Sequence, residues 1–403
     1  VIIGAGHAGG SCAAFLRQFG YAGEIVLIGD EPIAPYQRPP LSKAWLKGEA
    51  NSESLLLRPL AFYAENSVDL RLGVRVEGID RAAHEVRLKP GEPLRYDRLI
   101  FATGRRARRI PLQGIELPGV LELRTAADAD RLKAALAPPG ARLAVVGGGY
   151  VGLEAAASAR SLGAEAVVIE REPRVLARVA CETLSRFFQA YHESRGVRFE
   201  LGAAVVGVAE AGGRASGVRL GDGRTVPADA VLIGVGAVAN DELAREAGLE
   251  CDNGVLVGLA GETADPDVFA AGDCTRRPLP HYDRISHLES VPNALEQAKQ
   301  VAARLTGRPA PPAEVPWFWS DQYDLKLQIA GLPFDALEIV VRGDPDRARF
   351  AVFHLDRLRR LQAVEAVNAA PEFMAGRQYI ASRKPLDPDK LRNLTVSMKE
   401  VAA

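Results

Sequence analysis

The hydrophobic pattern opens as strand, turn, helix and strand. Val1-Ile2-Ile3 is an apolar run suited to a buried strand, and Gly4-Ala5-Gly6-His7-Ala8-Gly9 is a tight turn. Ser11 to Phe19 then reads as an amphipathic helix, and Glu24 to Asp30 as a second strand that ends on an acid. The unit recurs: Arg142 to Val146 is a strand, Gly147-Gly148-Gly149-Tyr150-Val151-Gly152 a turn, Leu153 to Leu162 a helix, and Ala166 to Glu170 a strand ending on an acid. Alternation of this kind predicts parallel sheets covered by helices. Between the two units, Tyr96 to Gly104 predicts a strand closing on a Thr-Gly turn. Arg105 to Pro118, with four arginines and two prolines, reads as a crossover linker. Ala230 to Gly236 repeats the strand-to-glycine phrase, and Val268 to Ala271 is a strand stopping at Gly272-Asp273.

Past the breaker Pro309-Ala310-Pro311-Pro312 the period falls to two. Strands are predicted over Leu325 to Ala330, Glu338 to Val341, Phe350 to His354 and Leu361 to Val367, followed by a helix from about Glu372. The expected fold is α/β, with two Rossmann-like dinucleotide-binding domains and a C-terminal α+β domain. The first domain is expected in two parts, 1–108 and 236–312. The second spans 109–235 and the C-terminal domain 313–403.

Composition narrows the partners. A formal net charge of -1 in 403 residues offers no global field for nucleic acid or an anionic membrane. No apolar run reaches the roughly 18 residues that span a bilayer. The opening strand lacks the basic flank of a signal peptide, so a cytoplasmic location is expected, and its start at residue 1 suggests that a few residues precede it. Cys12, Cys181, Cys251 and Cys274 form no C-x-x-C pair, and the six histidines show no H-x-H or H-x3-H spacing. Neither a redox couple of the thioredoxin kind nor a protein-ligated metal is expected.

Both glycine turns follow G-x-G-x-x-G. In that pattern the first glycine makes the turn, the second lets backbone N–H groups approach a pyrophosphate, and the third lets helix and strand pack closely. The helix N-terminus then faces the phosphates with partial positive charge. Asp30 lies 21 residues after Gly9 and Glu170 lies 18 after Gly152, where an acid accepts hydrogen bonds from an adenosine ribose. A carboxylate at Glu170 favours NADH over NADPH; Arg171, Arg174 and Arg178 stand close by as alternative ligands for a 2'-phosphate or as a solvated loop.

Further phrases complete a family pattern. They are Arg38-Pro39-Pro40-Leu41-Ser42-Lys43, Phe101-Ala102-Thr103-Gly104, Leu123-Arg124-Thr125, Gly147 to Glu154, Ala271-Gly272-Asp273, Glu289 to Ala298 and Trp317 to Gln322. With them the chain resembles, nearly end to end, the FAD-dependent pyridine-nucleotide reductases that feed small iron–sulfur proteins, and most closely the putidaredoxin reductase type. The resemblance implies FAD on Gly4, Gly6, Ala8 and Gly9, with Asp30 on the ribose. It implies a cofactor shell completed by Arg38, Val76, Thr103, Gly104, Arg124, Asp273 and Val291, with Lys43 near the flavin ring and Trp319 beside it. NADH is then expected on Gly147, Gly149, Tyr150, Gly152, Glu170 and Gly236. Glu154 matches a glutamate near the nicotinamide that can pair with Lys43, so Lys43, Glu154 and Trp319 are the expected catalytic residues. Related disulfide reductases carry a redox cysteine in the helix that starts near Leu41, where this chain has Leu41-Ser42-Lys43-Ala44-Trp45.

The implied activity is NADH-dependent reduction of a [2Fe–2S] ferredoxin that serves a cytochrome P-450 type monooxygenase. The ferredoxin is expected to be acidic and to dock transiently near bases such as Lys299, Arg304 and Lys326, with the reductase a monomer or weak dimer. A ferredoxin of a ring-hydroxylating dioxygenase, a quinone or monodehydroascorbate type of small-molecule acceptor, and a redox-dependent binding role like that of apoptosis-inducing factor remain the alternatives.

Overall fold

A computed structural model describes all of residues 1–403. The chain forms two compact units, each assembled from separate segments: 1–37, 52–106 and 238–318 in the first, and 38–51, 107–237 and 319–403 in the second.

In the first unit five parallel strands lie in the order Val268–Ala270, Leu99–Phe101, Ile2–Ile3, Ile25–Gly29, Val68–Leu72. Ile2 pairs with Leu27 on one side and Ile100 on the other. Those three side chains face the helices His7–Gln18 and Val291–Leu305. Their neighbours Ile3, Ile28 and Phe101 face the small antiparallel sheet that carries Val76 and Val86. Burial on both faces explains why these strands are apolar without alternation.

The second unit repeats the plan. Its parallel order is Val197–Leu201, Glu165–Glu170, Arg142–Val146, Ala230–Ile233, Val120–Leu121. An antiparallel sheet packs Val208 and Val218 against Val146 and Val167. Val145, Val168 and Leu232 are at most 1% exposed; each such side chain contributes roughly 1.5–3 kcal/mol. From Trp319 onward the same unit holds a five-stranded antiparallel sheet in the order Trp317–Gln322, Leu325–Gly331, Leu361–Val367, Arg349–Leu355, Glu338–Asp344. The helix Ala370–Ser382 covers it, approaching so closely that a Cβ at Gly376 would stand 2.4 Å from Val364. The α/β class with an added α+β sheet is therefore as expected.

Element limits differ in instructive places. Both fingerprint helices start a turn before their apolar residues, at His7 and Tyr150 rather than Ser11 and Leu153. Gly6 and Gly149 are the extended N-cap residues, so the third glycine of each motif lies inside the helix despite its poor propensity. The strand expected over Tyr96 to Gly104 is paired only at Leu99–Phe101, because Gly104 turns the chain with φ of 65°. Arg105, at the start of the expected crossover linker, is not free of the fold. It is 3% exposed, and its guanidinium pairs with Glu289 and Asn253.

Candidate active site

In the first unit the glycine turn has one face shut and one open. Gly4 has φ of 109°, and a Cβ there would stand 2.2 Å from the Ala102 carbonyl oxygen. A Cβ at Gly9 would stand 1.9 Å from the carbonyl oxygen of Gly4. At Gly6 nothing lies within 4 Å, and no side chain caps the helix that starts there. An open glycine at an uncapped N-terminus fits a pyrophosphate, which accepts from the orphan N–H groups. Gly272 approaches the same turn, where a Cβ would be 2.7 Å from that of Ala8, and this brings Asp273 to it. Val291 is the first residue of the helix capped by Ser290, whose Oγ accepts from the Asn293 N–H at 3.2 Å. Asp30 is exposed just past the strand Ile25–Gly29, as a ribose ligand must be. Thr103 Oγ1 donates to the Asn240 carbonyl at 2.6 Å, and Asn240 Nδ2 donates to the Thr103 carbonyl at 2.8 Å. Val76 is buried in the core, so a nucleotide would meet its main chain rather than its side chain.

The second unit reproduces the arrangement. Gly147 has φ of 112° with a Cβ position 2.4 Å from the Gly234 carbonyl oxygen, and that of Gly152 is 2.3 Å from the Gly147 oxygen. Nothing lies within 4 Å of Gly149. Glu170 is fixed at its strand end: Oε2 accepts from the Gly148 N–H at 2.7 Å and Oε1 from the Glu172 N–H at 2.9 Å. Arg174 is committed elsewhere, donating to the carbonyls of Ala177 at 2.9 Å and Ala180 at 3.0 Å and to Ser185. Arg171 is exposed beside Glu172. Gly236 has φ of 104°, and Arg108 and Arg178 both reach to 3.9 Å from its Cβ position. The Tyr150 hydroxyl donates to the Val179 carbonyl at 3.1 Å.

Also in the second unit, Lys43 and Glu154 meet. Lys43 ends the turn Pro39–Ser42, and Glu154 lies in the first turns of the helix Tyr150–Ser161. Lys43 Nζ is 2.7 Å from Glu154 Oε2, which also accepts from Ser42 Oγ at 2.5 Å. The other oxygen, Oε1, accepts from Ser320 Oγ at 2.6 Å. Glu154 is 5% exposed, so this set of donors keeps a buried carboxylate satisfied. The chain of bonds continues from Gln322 Nε2 to Ser320 at 3.0 Å, and from His192 Nε2 to Gln322 Oε1 at 2.7 Å. Burial pushes the His192 pKa down to about 4, so the ring is neutral at pH 7. Trp319, half-buried, precedes Ser320 on the strand Trp317–Gln322. Arg38 Nη1 donates to the Arg124 carbonyl at 2.7 Å, while Thr125 caps the helix after it.

Ser42, Ser320 and Gln322 stand inside the quoted family phrases, but nothing in the sequence assigned them a role at the site. Asn240 is equally silent. None of the four cysteines belongs to the Lys43–Glu154 network. Burial raises the thiol of Cys12 to about 12 and that of Cys251 to about 11, which leaves both protonated at pH 7.

Comparison with known proteins agrees with this geometry. Residues 1–298 match the family model for pyridine nucleotide-disulphide oxidoreductases, and residues 317–402 match the model for the reductase C-terminal domain. The chain is 51% identical to the probable ferredoxin reductase CtmF of Castellaniella defragrans, covering 100% of this chain and 98% of that one. It is 43% identical to rhodocoxin reductase of Rhodococcus erythropolis, covering 99% and 93%. The crystal structure of the covalent putidaredoxin reductase–putidaredoxin complex superimposes with a TM-score of 0.96 at 40% identity, covering 99% of this chain and 97% of that one. No helix is long and apolar enough to cross a membrane. Two equivalent glycine turns, an acid beyond each and full-length similarity lead to one assignment: this chain belongs to the pyridine nucleotide-disulphide oxidoreductase family.

Proposed function

We propose that the protein is an NADH-dependent flavoprotein reductase that passes electrons through FAD to a [2Fe–2S] ferredoxin, which in turn serves a cytochrome P-450 type monooxygenase. The observation that carries this reading is the doubling of the glycine turn. Each unit has its own shut-open-shut arrangement, so one chain can hold two dinucleotides. FAD, when bound, supplies the change from hydride chemistry to single-electron transfer.

The roles of this chain's residues follow from their positions. Gly6 with Gly4, Ala8 and Gly9 would hold the FAD pyrophosphate, Asp30 the ribose, and Asp273 and Val291 the remainder of that nucleotide. Gly149 with Gly147 and Gly152 would hold the NADH pyrophosphate, Glu170 its ribose, and Tyr150 and Gly236 the nicotinamide end. Glu170, fixed by two backbone N–H groups, presents negative charge where a 2'-phosphate would have to sit, and Arg174 is bonded away from that place. Lys43 and Glu154 would hold compensating charge near the nicotinamide, and Trp319 would shield the ring. Ser42 and Ser320 are positioning residues for Glu154. Lys299, Arg304 and Lys326 are exposed and available to an acidic partner. Charges of that kind steer brief encounters. A cytoplasmic setting suits a reductase whose coenzyme is NADH.

A comparison of acceptors tests the reading. Purified protein should be yellow and should reduce a bacterial [2Fe–2S] ferredoxin with NADH far better than with NADPH. Reduction of a quinone but of no ferredoxin would move the acceptor to a small molecule.

A further inference from the structure

The four cysteines and six histidines show no metal-binding spacing along the chain, yet the fold of the second unit gathers three ligand types at one point. Cys181 is the N-cap residue of the helix Glu182–Glu193. His354 and Glu365 lie on adjacent antiparallel strands, where Glu365 pairs with Val352 and His354 with Ala363. They are therefore diagonal neighbours on one face of the sheet. One ligand atom from each of Cys181, His354 and Glu365 lies within 4.8 Å of the others.

We propose that Cys181, His354 and Glu365 form a binding site for a divalent cation of the zinc class. Thiolate, imidazole and carboxylate are the borderline set that suits zinc. Tetrahedral bonds of roughly 2.0–2.3 Å set the ligand atoms about 3.3–3.8 Å apart. His354 Nε2 and Glu365 Oε2 are already 3.2 Å apart, close to that spacing.

A second observation points the same way. His354 is 4% exposed and Glu365 3%, and His354 Nε2 is buried without a hydrogen-bond partner. Its contact with Glu365 is an ion-pair approach, not aligned as a hydrogen bond. Glu365 Oε1 accepts from the Cys181 N–H at 3.1 Å, and no lysine or arginine pairs with the carboxylate. A buried carboxylate beside an imidazole nitrogen that has no hydrogen-bond partner is costly, and a divalent ion would satisfy both. Binding replaces the thiol S–H bond by a sulfur–metal bond and releases one proton to solvent, with no change of oxidation state. The resulting site, with Zn2+ against one thiolate and one carboxylate, is neutral.

The bound ion would fasten the loop that follows Glu170 to the C-terminal sheet. Tyr150 rests on that loop through the Val179 carbonyl, two residues before Cys181.

The test uses the flavin-loaded protein after treatment with a chelator. Zinc is titrated by calorimetry into the wild type and into Cys181→Ser, a near-isosteric change at a partly exposed position. One equivalent should bind the wild type and be at least about 100-fold weaker in the variant, since even outer-shell changes cost about 10–100-fold. Zinc-edge X-ray absorption of the loaded wild type should show one sulfur at about 2.3 Å and the remaining ligands at about 2.0–2.1 Å. Titrations that do not differ between the two proteins, or a zinc shell without sulfur, overturn the proposal.

Discussion

Lys43 Nζ lies 2.7 Å from Glu154 Oε2, although the two residues belong to segments more than a hundred positions apart. The pair is partly buried, with Lys43 18% and Glu154 6% exposed at the side chain. Removing the lysine leaves the carboxylate with Ser42 and Ser320 as its side-chain donors. A charge-assisted hydrogen bond is worth about 1.5–3 kcal/mol, so Lys43→Ala should slow hydride transfer roughly 10–100-fold. The check is the anaerobic rate of flavin bleaching by NADH, and an unchanged rate would exclude the pair from catalysis.

The two glycine turns predict opposite phenotypes for neighbouring positions. Gly6→Ala places its methyl group in open space, so folding should be normal while FAD retention falls, because the methyl intrudes where the phosphate must come. Gly9→Ala drives its methyl into the Gly4 carbonyl and should cost about 1–3 kcal/mol or more of stability. Flavin-to-protein ratio and thermal midpoint separate the two cases. Equal loss of stability in both would contradict the division of labour.

Coenzyme choice should rest on Glu170 rather than on the neighbouring arginines. Glu170→Ala should lower the kcat/KM preference for NADH over NADPH by about 10-fold, equivalent to about 1.4 kcal/mol. Arg174→Ala should instead loosen its own loop, since that guanidinium bonds to Ala177, Ala180 and Ser185. A preference that survives Glu170→Ala and collapses in Arg174→Ala would reverse the assignment.

His192 gives the stability a pH dependence. Burial lowers its pKa to about 4 in the folded chain, whereas the unfolded chain takes up the proton near 6.5. Between those values the unfolded state binds more protons, so stability falls as pH drops from 6.5 to 4. Each tenfold loss of proton affinity on folding is worth about 1.4 kcal/mol, which makes the full contribution about 3 kcal/mol. Urea midpoints measured across that range should decline in the wild type, and His192→Gln should flatten the decline. Parallel declines in both proteins would show that other groups are responsible.

Much of the fold was legible because the parallel strands are apolar on both faces and each fingerprint strand runs into a glycine turn. Gly4, Gly6, Gly9 and their counterparts Gly147, Gly149 and Gly152 act through backbone geometry, which their spacing encodes directly. The helix starts were misplaced because propensity treats glycine as a breaker, while here the third glycine is what lets the helix approach the strand. Side-chain networks were not legible. Ser320 reaches Glu154, Arg105 is buried against Glu289 and Cys181 meets His354 only through long-range folding, and nothing local marks those partners. Lys43 and Glu154 came from resemblance alone, and the ion pair between them is a property of the folded unit.

The most direct test of the electron-transfer account is a stoichiometry. Under anaerobic conditions the flavin-loaded protein is mixed with a limiting amount of NADH and an excess of oxidised [2Fe–2S] ferredoxin, and the iron–sulfur absorption is followed to completion. A hydride carries two electrons and each ferredoxin accepts one, so the account predicts two ferredoxins reduced for every NADH consumed. NADH consumed with the ferredoxin left oxidised would contradict it.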